Sequence, residues 1–156
     1  MLQSFGQGND RVTPLQMAMV SAAISNGGAL YRPNLVESIT APDLSVIQAF
    51  EPSLYGNAIS PEVAASMTQM MVANVANGAA SNARISGVDV AGKTGTAENG
   101  EGEPYTLWFT GFAPANDPQV AVAVLVENGG GRGQSAFGNQ IAAPIAKKVI
   151  EAVLNR

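Results

Sequence analysis

The stretch Val90-Ala91-Gly92-Lys93-Thr94-Gly95-Thr96-Ala97-Glu98 decides how this chain is read. An apolar lead-in runs into a lysine set between glycines, followed by two hydroxyl residues separated by a glycine. Successive side chains of an extended strand point to opposite faces, so Lys93 takes one face and Thr94 with Thr96 the other. Glycine weakens a strand interior and is kept there where another backbone comes close. Gly92 and Gly95 beside Lys93 therefore predict an edge strand against which an extended peptide can lie and gain main-chain hydrogen bonds. The lysine charge and the hydroxyls suit a carboxylate. An ordinary edge strand with a solvated lysine fits the tripeptide as well, so Lys-Thr-Gly alone leaves both readings open.

Working towards the C-terminus, residues 88–98, 105–113 and 119–128 read as three strands. The links 99–104 and 114–118 are short, which predicts antiparallel neighbours. The run Val120–Val126 is apolar without a break and predicts a strand covered on both faces. The acidic, glycine-rich link 99–104 reads as a solvated hairpin loop rather than a mobile lip over the lysine. Residues 129–133 are expected to be a flexible loop, and their spacing lacks the lysine and hydroxyl of a phosphate loop. Trp108 is expected in the core. A last helix is predicted over 140–154, with Ile141, Ile145, Val149, Ile150, Val153 and Leu154 as its apolar face. Lys147, Lys148 and Glu151 fall on the other side, and Pro144 is expected near its start, where no hydrogen bond is lost.

Towards the N-terminus, a helix is predicted over 13–27. Thr13, Pro14 and Gln16 supply a cap, a proline at the first position and a capping-box glutamine. Leu15, Met19, Ala22 and Ala23 recur at helical spacing, and Asn26-Gly27-Gly28 stops the helix. Residues 34–40 and 44–50 predict a hairpin around Ala41-Pro42-Asp43. Tyr55-Gly56-Asn57 reads as a turn. A second helix starts at Ser60-Pro61-Glu62, carries Val63, Met67, Met70, Met71 and Val75 as its stripe, and ends at Asn77-Gly78. The order is helices, three antiparallel strands, then a helix, an α/β (α+β) arrangement with helix packed on sheet.

Composition narrows the chemistry. The chain has 156 residues, 46% hydrophobic and 13% charged, enough for one domain with a core and too apolar for disorder. Eight scattered Lys and Arg and a net charge of −4 argue against nucleic acid. There is no Cys and no His. That excludes disulfides, thiolate nucleophiles, Cys/His zinc sites and a Ser-His-Asp triad. No carboxylate cluster has metal-ligand spacing, and no cofactor is implied. No apolar run approaches the ~20 residues that span a bilayer. Gly6-Gln7-Gly8 already reads as an internal loop, so the chain is expected to start inside a domain.

The segments around the lysine strand resemble one family in order. Gly6-Gln7-Gly8, Val12-Thr13-Pro14-Leu15-Gln16-Met17-Ala18, Asn26-Gly27-Gly28 and Tyr31-Arg32-Pro33 are similar to the segments that follow the active-site helices of class B penicillin-binding proteins. Val75-Ala76-Asn77-Gly78-Ala79-Ala80 resembles the approach to that family's Lys-Thr-Gly strand, although Gly-Thr is commoner there. Trp108-Phe109-Thr110-Gly111-Phe112-Ala113-Pro114 and Val124-Leu125-Val126-Glu127-Asn128 resemble its next two strands, and Ala142-Ala143-Pro144-Ile145 its terminal helix. The likeness is greatest to the actinobacterial penicillin-binding protein A group.

The resemblance implies the C-terminal portion of the penicillin-binding protein and serine β-lactamase-like fold, whose full sheet has five antiparallel strands beside a helical subdomain. It implies a D,D-transpeptidase, in which a serine attacks the D-alanyl-D-alanine end of a peptidoglycan stem peptide and β-lactams mimic that donor. Lys93 then falls in the electrostatic and proton-relay position. Thr94 and Thr96, with Gly95 between them, fall where the substrate or drug carboxylate is held, and the Thr96 N–H at one oxyanion donor. The location implied is the extracytoplasmic face of the bacterial cell membrane.

Two of the family's three motifs are missing. No serine is followed three residues later by lysine, the nearest being Ser81 before Arg84, and none is followed two residues later by asparagine. Tyr55-Gly56-Asn57 fits a Tyr-x-Asn variant found in some β-lactamases, but reads better as a turn. Residues 1–156 are therefore expected to be an N-terminally truncated part of a transpeptidase domain, inactive alone, with the missing half as its natural partner. Without that half, the third strand is expected to expose an edge, inviting dimerisation or strand exchange. The alternatives are a serine β-lactamase or penicillin-sensor domain of the same fold, and a non-catalytic module that binds peptide at the sheet edge.

Overall fold

Capping sets the first helix where the sequence places it. In the computed structural model, which describes residues 2–8 and 10–155, helix α1 spans Pro14–Ser25. Thr13 Oγ1 accepts the Gln16 N–H at 3.2 Å, and the Thr13 N–H donates to Gln16 Oε1 at 2.7 Å. Its buried residues are Ser21, Ala23 and Ile24, while Leu15, expected on the apolar face, is exposed. The helix ends as the Gly28 N–H returns to the Ala23 carbonyl at 2.8 Å. Gly28 has φ +94°, and a Cβ on it would overlap the Ile59 carbonyl, so glycine is required there.

Four short strands follow. β1 (Ala29–Tyr31) pairs antiparallel with β4 (Leu54–Asn57), and between them β2 (Ser38–Thr40) and β3 (Val46–Ala49) form the expected hairpin. The hairpin is shorter than the sequence suggests at its start. Asn34 Oδ1 accepts the Val36 N–H and Asn34 Nδ2 donates to the Val36 carbonyl, a local loop that competes with strand pairing. At the hairpin tip the Asp43 carboxylate accepts from the Ser45 hydroxyl and N–H, which holds its pKa below the ordinary value. Tyr55-Gly56-Asn57 is not a turn: it is the body of β4. Its partner Ala29–Tyr31 lies far away in sequence, so no local signal marks it. Arg32 stacks over the Tyr55 ring, 4.8 Å from its centroid.

Helix α2 spans Pro61–Asn77, capped by Ser60, whose Oγ accepts the Val63 N–H at 3.4 Å. It buries Ala64, Met71 and Val75, and leaves Val63 and Met70 of the expected stripe exposed.

The main sheet is β5 (Ala91–Ala97), β6 (Thr106–Ala113) and β7 (Val120–Val126), in that order and antiparallel. Its register is unbroken: Lys93 faces Thr110, Gly95 faces Trp108 and Thr96 faces Leu107. Pairs that face each other share one side of a sheet, so the sheet has two distinct cores. On one side Phe109 packs with Val75, Ala113, Ala142, Ala143, Ala146 and Ile150. On the other, Phe112 and Ala91 pack with Ile24 and Met71. Helix α1 is pinned to that second side by Ser21, fully buried, whose Oγ lies 2.6 Å from Thr110 Oγ1. Thr110 also donates towards the Met17 and Val122 carbonyls. β7 is thus covered by α1 and α3 (Gly138–Val153), as its apolar run predicts. Trp108 is half-buried rather than core, because it stands on the open Lys93 side of the sheet.

In α3 the structure corrects two expectations. Pro144 sits well inside the helix, past its first turn, so the Gln140 carbonyl loses its usual N–H partner. The packed face is Gly138, Ala142, Ala143, Ala146 and Ile150, while Ile145, Val149 and Val153 point outward. Lys147 and Glu151 form an i,i+4 pair at 3.8 Å on the exposed side. The loop at 129–133 contains a 3-10 turn, Asn128–Gly131, with Gly129 and Gly130 in left-handed conformations. Gln134 Nε2 ties this region to the β5–β6 link by donating to the Glu103 carbonyl at 2.9 Å, which favours a pinned hairpin loop over a lip. Among the described residues, no helix is long and apolar enough to cross a membrane.

Gly28→Ala is expected to lower stability by about 2–3 kcal/mol, through both its positive φ and the overlap with Ile59. Gly27→Ala, whose Cβ meets nothing within 4 Å, tests the φ effect alone and should be milder in chemical denaturation.

Candidate active site

β5 is an edge strand, and its pleat sorts the residues of interest. Lys93 lies with Thr110 and Trp108 on the α1 side, and Thr94 and Thr96 lie with Phe109 and Leu107 on the α3 side. The alternation expected from sequence is therefore present.

The backbone of β5 is sorted too. Gly95 shares its ladder with Trp108, and the groups of the even-numbered residues turn to the open edge. Their carbonyls are each taken by a side chain. The Gly92 carbonyl accepts from Asn74 Nδ2 at 2.8 Å, the Thr94 carbonyl from Lys93 Nζ at 2.6 Å, and the Thr96 carbonyl from Gln7 Nε2 at 2.9 Å. The N–H and C=O of one residue in an antiparallel strand point the same way. The N–H groups of Thr94 and Thr96 therefore also face the edge, where they are available to an anion or a peptide carbonyl.

The two hydroxyls are differently placed. Thr94 Oγ1 donates to the Ala79 carbonyl at 3.2 Å, so it must turn away from Ala79 to donate to a carboxylate. Thr96 Oγ1 accepts the Gly138 N–H at 3.2 Å and keeps its own proton to give. Ala79 belongs to the turn after α2, which Asn74 shapes: its Oδ1 accepts the Ala79 N–H at 3.1 Å while its Nδ2 holds the edge of β5.

The glycines have a structural explanation that sequence alone missed. A Cβ on Gly95 would stand 3.2 Å from the Cβ of its cross-strand partner Trp108, and the close backbone approach falls instead at Gly138, the first residue of α3. A Cβ on Gly138 would stand 2.5 Å from the carbonyl oxygens of both Gly95 and Trp108. Gly92 yields to the Phe109 ring, which would lie 2.5 Å from an added Cβ. Neither glycine therefore requires an external peptide. Gly138, Asn74 and Gln7 were not singled out as site residues by sequence. The Ala80-Ser81-Asn82 turn is joined to α3 in the same region, where the Asn82 N–H donates to Asn139 Oδ1 at 2.9 Å.

Tyr55-Gly56-Asn57 lies in the β1–β4 pair, a different sheet from β5. Among the described residues, no group of three or more acidic side chains is placed to hold a metal ion. What β5 offers is a cation, two hydroxyls and two edge N–H groups, all suited to binding an anionic, extended ligand.

An antiparallel sheet with a terminal helix against one face and a Lys-Thr-Gly-Thr strand at its margin is the arrangement of an acyl-transferring, penicillin-binding fold. The family model described as the penicillin binding protein transpeptidase domain matches residues 1–151, and the chain belongs to that family. It is 47% identical over 156 residues to the peptidoglycan D,D-transpeptidase PbpA of Mycolicibacterium smegmatis, covering 98% of this chain and 31% of that protein. It superimposes with a TM-score of 0.92 on penicillin-binding protein A from M. tuberculosis, solved as a ceftriaxone acyl-enzyme complex, at 46% identity over 98% of this chain and 35% of that one. The D,D-transpeptidase domain of a peptidoglycan glycosyltransferase from Eggerthella lenta matches at 36% identity with a TM-score of 0.75. The chain thus spans 31% of the length of PbpA.

Gly138→Ala is expected to push α3 off β5 and lower stability by about 2–4 kcal/mol, since the added atom meets two backbone oxygens. Urea unfolding checks this. A loss below about 0.5 kcal/mol would show that the helix start relaxes freely.

Proposed function

We propose that this chain forms one wall of the active site of a peptidoglycan D,D-transpeptidase that also binds β-lactams. The observation that carries the reading is the edge of β5, where Lys93, two hydroxyls and two outward N–H groups converge in a member of the transpeptidase family. The Thr96 N–H is assigned as an oxyanion donor. Removing one such donor typically costs about 10²–10³ in rate. Thr94 and Thr96 hold the ligand carboxylate through their hydroxyls, with Gly95 keeping the backbone between them bare of side chain. Lys93 leaves the Thr94 carbonyl when an anionic ligand arrives and serves as the cation and proton relay.

The nucleophilic serine of this reading comes from outside these 156 residues, because the sequence contains no Ser-x-x-Lys. The D-alanyl-D-alanine end of a stem peptide is the donor, and the site works at the extracytoplasmic face of the cell membrane. The outer edge of β7, which pairs with no strand among the described residues, is where the rest of the domain adds. Left open, it favours dimers or strand exchange. Sedimentation of the isolated chain is expected to show self-association, and a monodisperse monomer counts against that expectation.

Labelled penicillin followed by intact-mass measurement tests the catalytic reading. The isolated chain should form no covalent adduct, whereas a complete transpeptidase domain containing it should acylate stoichiometrically. Lys93→Ala in the complete domain is expected to slow acylation by roughly 10²-fold or more. Acylation of a serine within the isolated chain, or rapid hydrolysis of a chromogenic cephalosporin by the complete domain, would overturn the reading.

A further inference from the structure

Gln7 reaches β5 from the far side of the sequence and makes two bonds there. Its Nε2 donates to the Thr96 carbonyl at 2.9 Å, and its Oε1 accepts the Glu98 N–H at 3.1 Å. A side-chain carboxamide is chemically a peptide group, with an N–H donor and a carbonyl acceptor on one carbon. Bonding the carbonyl of one residue and the N–H two residues on is what one residue of a parallel neighbouring strand does. Gln7 therefore occupies the edge of β5 as a single link of added strand.

The local backbone is shaped for this. Gly6 has φ +79° and Gly8 has φ +90°, conformations that glycine adopts at no steric cost. The chain bends on both sides of Gln7, so a side chain, and not a backbone, is delivered to the strand. Gln7 itself is half-buried. Its two bonds cover the stretch of edge directly beyond the Lys93-Thr94-Gly95-Thr96 segment.

We propose that Gln7 is a built-in stand-in for the ligand's own amide, and that a ligand whose N–H reaches the Thr96 carbonyl takes it from Gln7. This rests on the transpeptidase reading and assigns Gln7 as a specificity-determining residue for that site. Ligands that bring an N–H to the Thr96 carbonyl replace what they displace. Ligands without one leave that carbonyl with Gln7 and gain nothing there. The chemical class selected is an acyl donor with an amide N–H beside its reacting carbonyl, a peptide or an acylamino β-lactam alike.

The test compares benzylpenicillin, which carries the side-chain amide, with penicillanic acid, which has the same bicyclic nucleus and no side-chain amide N–H. Acylation rate constants are measured by intact mass on the complete transpeptidase domain containing this chain, as wild type and as Gln7→Met, which keeps the size and removes both bonds. Gln7→Met is expected to raise the rate with benzylpenicillin by roughly five- to tenfold, the scale of one or two lost competing hydrogen bonds. The rate with penicillanic acid should change less than about twofold, within the spread of a neutral surface change. In the same variant, hydrogen exchange at the Glu98 amide should accelerate while that of Leu107, inside the sheet, stays protected.

An unchanged ratio between the two β-lactams, with increased self-association, would overturn the proposal and leave Gln7 a guard of the edge. Slower acylation by benzylpenicillin would overturn it as well, by showing that Gln7 holds the ligand rather than its place. Failure of the wild-type domain to acylate at all would overturn the transpeptidase reading itself, and the role of Gln7 with it.

Discussion

The outer edge of β5 carries backbone groups that no strand pairs among the described residues, and satisfying them organises the site around it. Unpaired backbone carbonyls that are partly shielded from water require partners. Three side chains from three different places supply them: Asn74 from α2, Lys93 from the strand itself and Gln7 from the N-terminal loop. Each partner also fixes its own element. Asn74 shapes the turn that brings the Ala79 carbonyl to Thr94, and Gln7 anchors the loop that leads into α1. The carbonyls are taken while the N–H groups of Thr94 and Thr96 stay open, so the edge is prepared for an acceptor.

A second constraint comes from the other side of β5. Helix α3 starts so close to Gly95 and Trp108 that its first residue cannot carry a Cβ. That closeness explains why the helix packs on alanines. Ala142, Ala143 and Ala146 fit the narrow space, and Ile150 fills the wider space further along. The larger Ile145, Val149 and Val153 are turned out. Residue size, read along the helix, reports distance from the sheet rather than hydrophobic preference.

Much of this was legible in the sequence because it depends on neighbours. The caps at Thr13 and Ser60, the three strands of the main sheet and the alternation of Lys93 against Thr94 and Thr96 all follow from local pattern. What was not legible depends on distant partners. Tyr55-Gly56-Asn57 has turn-like residues, yet β1 recruits it as a strand. The apolar faces assigned to α1, α2 and α3 by periodicity were only partly right, since periodicity identifies a stripe but not the space in front of it. Within the site, Gly138 and Gln7 gave no signal beyond their residue types, because each acts on a strand some forty to ninety positions away.

The two margins of the main sheet are unlike. At β5 the backbone carbonyls are claimed by side chains, whereas β7 keeps a continuous apolar run with both faces covered and one side that no strand pairs among the described residues. Two inter-strand spacings, about 10 Å, separate them. The sheet is consequently polar in the sense that a crystal face is: its two margins expose chemically different rows of groups. A strand added at β7 would touch none of the groups at β5, so the two margins present separate sets of backbone atoms.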